Sequence, residues 1–178
     1  MAATAEVPVT LEFSLDLTTD PLGADLTVAV PDAPSDEARQ ALLDGIERSL
    51  VGAQGNLVFQ AIQQAHDNLD QYASAHGGYD VAPLKDSLTA PAADRDQTSI
   101  HVAWSWQAKF ASLAEFGASP YTIEGDPLVF NFDAGEYPGL ADAFPGGTAF
   151  LQSVEHPGFP EGRWVRDSLN WLRSEVGQ

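Results

Sequence analysis

Apolar and polar residues alternate at the start of the chain in the pattern of a β-hairpin. Between residues 7 and 17 every second side chain is apolar, which is the two-residue period of a strand with one buried face. Turn-forming residues at positions 18–23 interrupt the pattern, and the alternation resumes over residues 26–30. We therefore predict a hairpin over residues 1–34, attached as an extension to a core formed by residues 35–178.

A helical period follows the hairpin. Ser35 or Asp36 is suited to cap the first turn, and apolar residues recur at steps of three and four over residues 42–51 and again over residues 58–72. Two glycines lie between these stripes, within residues 52–55. Because glycine is unfavourable inside a helix, the pattern predicts either one long helix that bends there or two helices that meet there.

The second half of the chain is predicted to contain strands separated by irregular segments. Residues 79–97 hold two prolines and many small polar residues, and we predict no regular structure for them. Alternation predicts a strand at 100–106, and a second strand at 128–132 is expected to pair with 150–154. The connection between the last two, residues 133–149, is longer than an ordinary hairpin loop.

Two helices complete the prediction, a short helical turn at 110–116 and an amphipathic helix from about Pro160 to Val176. In the terminal helix, four apolar residues share one side and form the expected buried stripe: Val165, Leu169, Leu172 and Val176. The pattern as a whole predicts a single α+β domain, in which a small antiparallel β-sheet packs against a long helix with a C-terminal helix beside it.

The net charge of the chain excludes more classes of function than the length of the chain does. Twenty-six acidic residues stand against eight basic ones, for a formal charge of −18. Such a surface repels nucleic acid and anionic lipid, so we expect neither a sequence-reading nucleic-acid protein nor a membrane-surface protein. Only two bases are lysines, and an acid-rich, lysine-poor composition indicates adaptation to high salt, where self-repulsion is screened. The alternative is an acidic protein of an ordinary-salt host.

The sequence contains few residues arranged for chemistry. It has no cysteine, which excludes disulfides and thiolate metal sites, and we expect neither a membrane span nor a secretory signal. The four histidines lack the spacing of a zinc site, and His156 lies in a turn where its imidazole is expected to bond the local backbone. No phosphate loop or nucleophile elbow is present. We therefore expect no enzyme, no metal and no cofactor.

Features suited to binding other chains are more numerous. The long loop carries an acid and three apolar residues that a purely solvated loop would not need, and the terminal helix presents arginines and tryptophans on its other sides. The alternatives are a loop that folds back on its own sheet, arginines paired within the molecule, and tryptophans that fill the core. The candidate partner-binding residues are Glu136, Tyr137, Leu140, Phe144, Arg163, Trp164, Arg166, Trp171 and Arg173.

Several short blocks, in a fixed order, resemble a known family. AEFGASPYTI at residues 114–123 resembles an EFGT-x-x-H-x-I segment, and LVF at 128–130 resembles the strand that follows it. VEHPG at 154–158 and RWVRDSL at 163–169 resemble a V-x-HPG block and an aromatic-plus-arginine helix, and PLKDSL at 83–88 resembles an element upstream. The family comprises the small head–tail joining, or tail-completion, proteins of lambda-like siphoviruses and related proviruses.

The resemblance implies a structural virion protein of the neck, which joins the DNA-filled head to the tail. It implies copies of itself in a closed ring, six being the natural number, together with neighbouring neck or tail proteins. DNA would pass an acidic lumen without specific binding. The chain would be made in the cytoplasm of a high-salt host.

Two other functions stay open. One is a ring protein that terminates the tail tube. The other is a halophile's soluble ligand-binding protein, with Trp104 and Trp106 lining a cleft.

Overall fold

The computed structural model describes residues 9–53 and 56–176. It confirms the predicted α+β class, with a four-stranded antiparallel sheet, a two-stranded sheet and six helices among the described residues. The chain divides into two compact units. The larger unit contains the described residues up to Phe116 and from Glu161 onward, and the smaller unit is Gly117–Pro160. The sequence pattern contains no signal for this division.

The larger unit is built on the four-stranded sheet. Its strands are β1 (Glu12–Thr19), β2 (Leu22–Ala29), β3 (Leu88–Arg95) and β4 (Ser99–Trp106). They lie in the order β1-β2-β4-β3, and every neighbouring pair is antiparallel. The inward-facing residues of β2 and β4 are almost completely buried, which is the alternation expected of a sheet with one solvated face.

The N-terminal hairpin is part of the core sheet rather than an extension of it. Its second strand, β2, is an inner strand between β1 and β4, and Leu26 opposes both Leu15 and Val102. The predicted turn was also too long, because Leu22 and Gly23 already belong to β2. The part of the predicted first strand before residue 9 lies outside the described residues.

The prediction of irregular structure at residues 79–97 was wrong. A short helix, α3 (Ala82–Lys85), precedes strand β3 there. Strand β3 lies at the sheet edge, and Pro91 falls where its register with β4 shifts. Proline is tolerated at such a position because no ladder hydrogen bond requires its missing N–H. Since most of its side chains are exposed, β3 shows no apolar alternation.

The helical segment consists of two helices, as one of the two alternatives predicted. Helix α1 (Asp36–Val51) begins after Ser35, whose side chain accepts a hydrogen bond from the Ala38 N–H and so provides the N-cap. Helix α1 ends at Val51 with Gly52 as its C-cap, and α2 (Leu57–Ala75) starts after a new N-cap at Asn56.

Helices α1, α2 and α6 (Trp164–Val176) contribute to one core with the inner face of the sheet. Trp106 of the sheet and Trp164 of α6 are both fully buried, and their rings meet edge to face with centroids 4.7 Å apart. Three of the four residues of the predicted stripe on α6 are buried, and Val176 is half-buried. The predicted helical turn is present as α4 (Ala111–Phe116).

The smaller unit is a long β-hairpin. Strand β5 (Tyr121–Asn131) pairs antiparallel with β6 (Thr148–His156), which confirms the predicted pairing. Strand β5 begins seven residues earlier than predicted. The prediction missed its first part because the register shift between Glu124 and Leu128 interrupts the apolar alternation. The predicted long loop contains a short helix, α5 (Pro138–Ala143).

Candidate functional site

One face of the smaller unit's hairpin carries large apolar side chains that the chain leaves exposed. Tyr121 and Ile123 lie on this face opposite His156 and Val154, and Val129 lies farther along it opposite Phe150. The exposed fractions are 57% for Val129 and 55% for Phe150, with 41% for Tyr121 and 37% for Ile123. We call Tyr121, Ile123, Val129 and Phe150 the hairpin face. Several exposed apolar residues on one side of a two-stranded hairpin favour an interaction surface.

The loop at the hairpin tip folds back on its own strands in part. Leu140 and Phe144 are half-buried, whereas Tyr137 is 48% exposed and Glu136 is exposed. Asp133 Oδ1 accepts hydrogen bonds from the backbone N–H groups of Gly135 and Glu136, at 2.7 and 3.3 Å, and so holds the start of the loop. Of the four loop candidates, only Glu136 and Tyr137 therefore offer exposed side chains.

The smaller unit is also strongly acidic. Its sequence, residues 117–160, contains six acidic residues and neither lysine nor arginine. By their register, Glu124 and Glu155 lie on the opposite side of the hairpin from the hairpin face, so the negative charge is a property of the whole unit. A unit with exposed apolar side chains and only acidic charge favours a partner that supplies apolar contact together with positive charge.

The HPG block lies at the end of the hairpin where β5 begins and β6 ends. The His156 imidazole accepts a hydrogen bond from the Gly158 N–H at 3.0 Å, so it bonds the local backbone as predicted, and it stacks on Tyr121. Gly158 has a φ of +82°, and a Cβ there would overlap the Ala118 carbonyl oxygen. Beside it, Ala118 and Phe159 exchange two backbone hydrogen bonds of 2.9 Å. This glycine is therefore required by both conformation and space.

A buried carboxylate in the EFG block holds the start of the terminal helix. Glu115 is fully buried on the same side of α4 as Ala111. Its two oxygens accept hydrogen bonds from the backbone N–H groups of Val165, at 2.8 Å, and Arg166, at 3.2 Å. The Arg166 guanidinium donates a third, from Nε at 2.8 Å. A negative charge placed against the N-terminal amides of α6 satisfies donors that have no partner within the helix.

Glu115 was not among the candidates from the sequence. The available signal was its place in the EFG block, four residues after Ala111 and thus on the same side of a helical turn. Nothing in the local sequence indicates that this side is buried against α6, which begins almost fifty residues later.

The two arginines of α6 and Arg163, which directly precedes it, are engaged within the molecule to different degrees. Arg166 also bonds Glu161 at 2.9 Å, and its hydrogen bond to Glu115 raises the pKa of its guanidinium above the ordinary value. Arg163 lies 3.7 Å from Glu161 and 3.5 Å from Asp167. Within the described residues, Arg173 is exposed and forms no ion pair.

The tryptophans are mainly core residues. Trp164, predicted as a partner contact, is fully buried and cannot contact another chain without unfolding. Trp171 is half-buried. Trp104 and Trp106, which a ligand-binding function would place along a cleft, are only 4% and 0% exposed because they lie on the core-facing side of β4. Neither residue exposes more than a small part of its surface to solvent.

The histidines take structural positions. Trp106 Nε1 donates to His66 Nε2 at 3.1 Å, and burial, followed by the charge of Lys85, lowers the pKa of His66. His76 Nδ1 lies 2.8 Å from the Tyr72 carbonyl oxygen. Residues 9–53 and 56–176 contain no cluster of three side chains able to hold a metal ion.

A serine, a histidine and an aspartate meet at the β3–β4 turn, but not in catalytic order. Ser99 Oγ lies 3.0 Å from His101 Nε2 and donates to Asp96 at 2.7 Å, while Thr27 lies beside the other imidazole nitrogen. A catalytic triad requires the carboxylate on that far nitrogen. Hydrogen bonds from Thr98 and Ser99 hold the pKa of Asp96 far below its usual range. The cluster stabilises a turn.

Comparisons with protein-family models, with curated proteins and with solved structures gave no match. Of the described helices, none combines the length and the apolar character that a bilayer crossing requires. The surfaces described above are therefore the basis for assigning a function.

Proposed function

We propose that this chain is a structural protein of the junction between head and tail of a tailed virus, where it forms part of a ring. The observation that carries the proposal is the hairpin face, on which Val129 and Phe150 are more than half exposed. A two-stranded hairpin has too little core of its own and needs further packing for stability. A neighbouring chain in an assembly would supply that packing.

The blocks that resemble the joining family support this proposal because each has a defined structural position. Glu115 of the EFG block anchors α6, and Gly158 of the HPG block closes the hairpin. A resemblance at such positions concerns geometry that the fold requires rather than chemistry at an active site.

The acidic surface fits the same proposal. In a ring of six copies, a lumen without basic groups would let DNA pass without binding it. The deficit of lysine and arginine, eight against twenty-six acids, suits a particle assembled in a high-salt host, where repulsion between subunits is screened.

Disruption of the gene in the virus or provirus that encodes this chain tests the proposal. We expect electron microscopy to show DNA-filled heads and separate tails that fail to join, and the wild-type chain supplied in trans to restore joined particles. Tails of uncontrolled length would instead assign the chain to the tail-terminating ring. Normal, infectious particles from the disrupted gene would refute both structural functions.

A further inference from the structure

A second exposed apolar surface lies on the larger unit, on the solvent side of α4. Phe110 is 71% exposed, Phe116 is 39% exposed and Leu113 is 37% exposed. Their spacing of three residues places them on one side of a helical turn, opposite the buried residues Ala111 and Glu115. We call Phe110, Leu113 and Phe116 the α4 patch.

Positive charge accompanies the α4 patch. The Arg166 guanidinium lies over the Phe116 ring, 5.2 Å from its centroid. Lys109, adjacent to Phe110, is exposed and makes no ion pair within the described part of the chain. In a chain with only eight basic residues, two of them therefore lie at this exposed apolar surface.

We propose that the hairpin face of one copy docks on the α4 patch of a second copy. The proposal rests on the proposed function, in which the neighbours in a ring are copies of this chain. The two surfaces both carry exposed apolar side chains, and their surroundings are complementary in charge. The smaller unit has six acids and no basic residue. Among the described residues, the free base at the α4 patch is Lys109, since Arg166 is already paired with Glu115 and Glu161. Aromatic and aliphatic side chains on both surfaces would be buried together.

Because the two surfaces differ, the contact is heterologous, and each copy uses one surface toward each neighbour. Such contacts continue from copy to copy until the rotation closes a ring. The contact also places opposite charges together in a protein whose other surfaces repel one another. Screening of that wider repulsion by salt is therefore expected to favour assembly.

The test uses the full chain in concentrated KCl, with mass measured by light scattering after size exclusion. Phe110→Asp disrupts the α4 patch and Phe150→Asp disrupts the hairpin face. We expect each variant alone to weaken self-association by at least about tenfold. Phe59→Asp is the matched control, because Phe59 is 51% exposed on α2, outside both surfaces. It is expected to assemble like the wild-type chain.

Mixing the two disrupted variants gives the decisive result. Each retains the surface that the other lacks, so the Phe110→Asp and Phe150→Asp chains are expected to form a dimer together and nothing larger. Carbodiimide cross-linking of that dimer is expected to join Lys109 of the Phe150→Asp chain, whose α4 patch is intact, to an acid of residues 117–160 of the Phe110→Asp chain. In wild-type assemblies the same reagent is expected to join Lys109 to an acid of residues 117–160.

Several outcomes would overturn the inference. It would be refuted if the wild-type chain stayed monomeric or if the Phe110→Asp chain assembled normally. It would also be refuted if the mixture of the two variants remained monomeric. These results are separate from the gene-disruption result. Unjoined heads and tails together with normal assembly of Phe110→Asp would leave the neck function in place and refute only this contact.

Discussion

The buried carboxylate of Glu115 leads to the sharpest prediction about stability. Replacement by glutamine keeps the shape of the side chain but turns one of its two acceptors into a donor. In the wild-type chain, one carboxylate oxygen of Glu115 accepts from the Val165 N–H. The other accepts from both the Arg166 backbone N–H and the Arg166 Nε. Whichever way the amide of Glu115→Gln is oriented, its NH₂ group faces a donor.

The expected loss of stability follows from these contacts. A hydrogen bond to a charged group contributes about 1.5–3 kcal/mol, and a buried donor without a partner costs about 1–3 kcal/mol. The Arg166 side chain is 30% exposed, so water can replace part of what it loses. We therefore expect Glu115→Gln to lower the free energy of unfolding by about 2–3 kcal/mol.

Urea unfolding at a fixed KCl concentration, followed by tryptophan fluorescence, measures this loss. The chain has four tryptophans, all in or against the core that includes α6, so their combined emission reports the loss of that core. With a denaturant dependence of about 2 kcal/mol per molar, the midpoint should fall by roughly 1–1.5 M urea.

Glu161→Gln is the matched control. Glu161 bonds the same Arg166 guanidinium, but its side chain is 50% exposed, and exposed ion pairs contribute little. Its midpoint should be hardly distinguishable from that of the wild-type chain. If Glu115→Gln and Glu161→Gln unfold at the same urea concentration, the buried carboxylate does not hold α6 as its geometry implies.

Two further predictions concern His66 and Gly158. Burial lowers the pKa of His66 from 6.5, so as the pH falls His66 takes up a proton in the unfolded chain before it does so in the folded chain. The free energy of unfolding should therefore fall below about pH 6.5, by at most about 1.4 kcal/mol per pH unit. Urea unfolding of His66→Gln, which can still accept from Trp106, should lack this component; equal pH slopes would contradict it. Gly158→Ala, at φ +82° and against Ala118, should cost more than about 2 kcal/mol and increase hydrogen exchange in the hairpin. Gly139→Ala, with open space around it, should change neither the stability nor the hydrogen exchange. Hydrogen exchange in the hairpin that is unchanged in both variants would refute the tight contact at Gly158.

Local periodicity was sufficient to predict most of the secondary structure. The alternation in β2 and β4 and the helical spacing in α1, α2 and α6 each reflect one buried face. Such a face imposes a period of two or 3.6 residues that is visible along the chain. The α+β class follows from these elements.

The same approach failed where burial was not periodic. Strand β3 has no apolar alternation because it is an edge strand with mostly exposed side chains. Its pairing with β4 depends on the partner strand rather than on its own sequence. The division into two units was likewise not predicted, because the one difference in composition, the absence of lysine and arginine from residues 117–160, does not by itself mark a boundary.

The candidate site shows the same limit. Arginines and tryptophans were selected on α6 by type and spacing, but the position of the sheet decided that Trp164 is core, and the position of α4 decided that Arg166 bonds Glu115. The sequence by itself determined the class of fold, most of the helices and strands, and the large negative charge. Only the tertiary structure decided which side chains stay exposed for contact with other chains, because exposure depends on residues that are far apart along the chain.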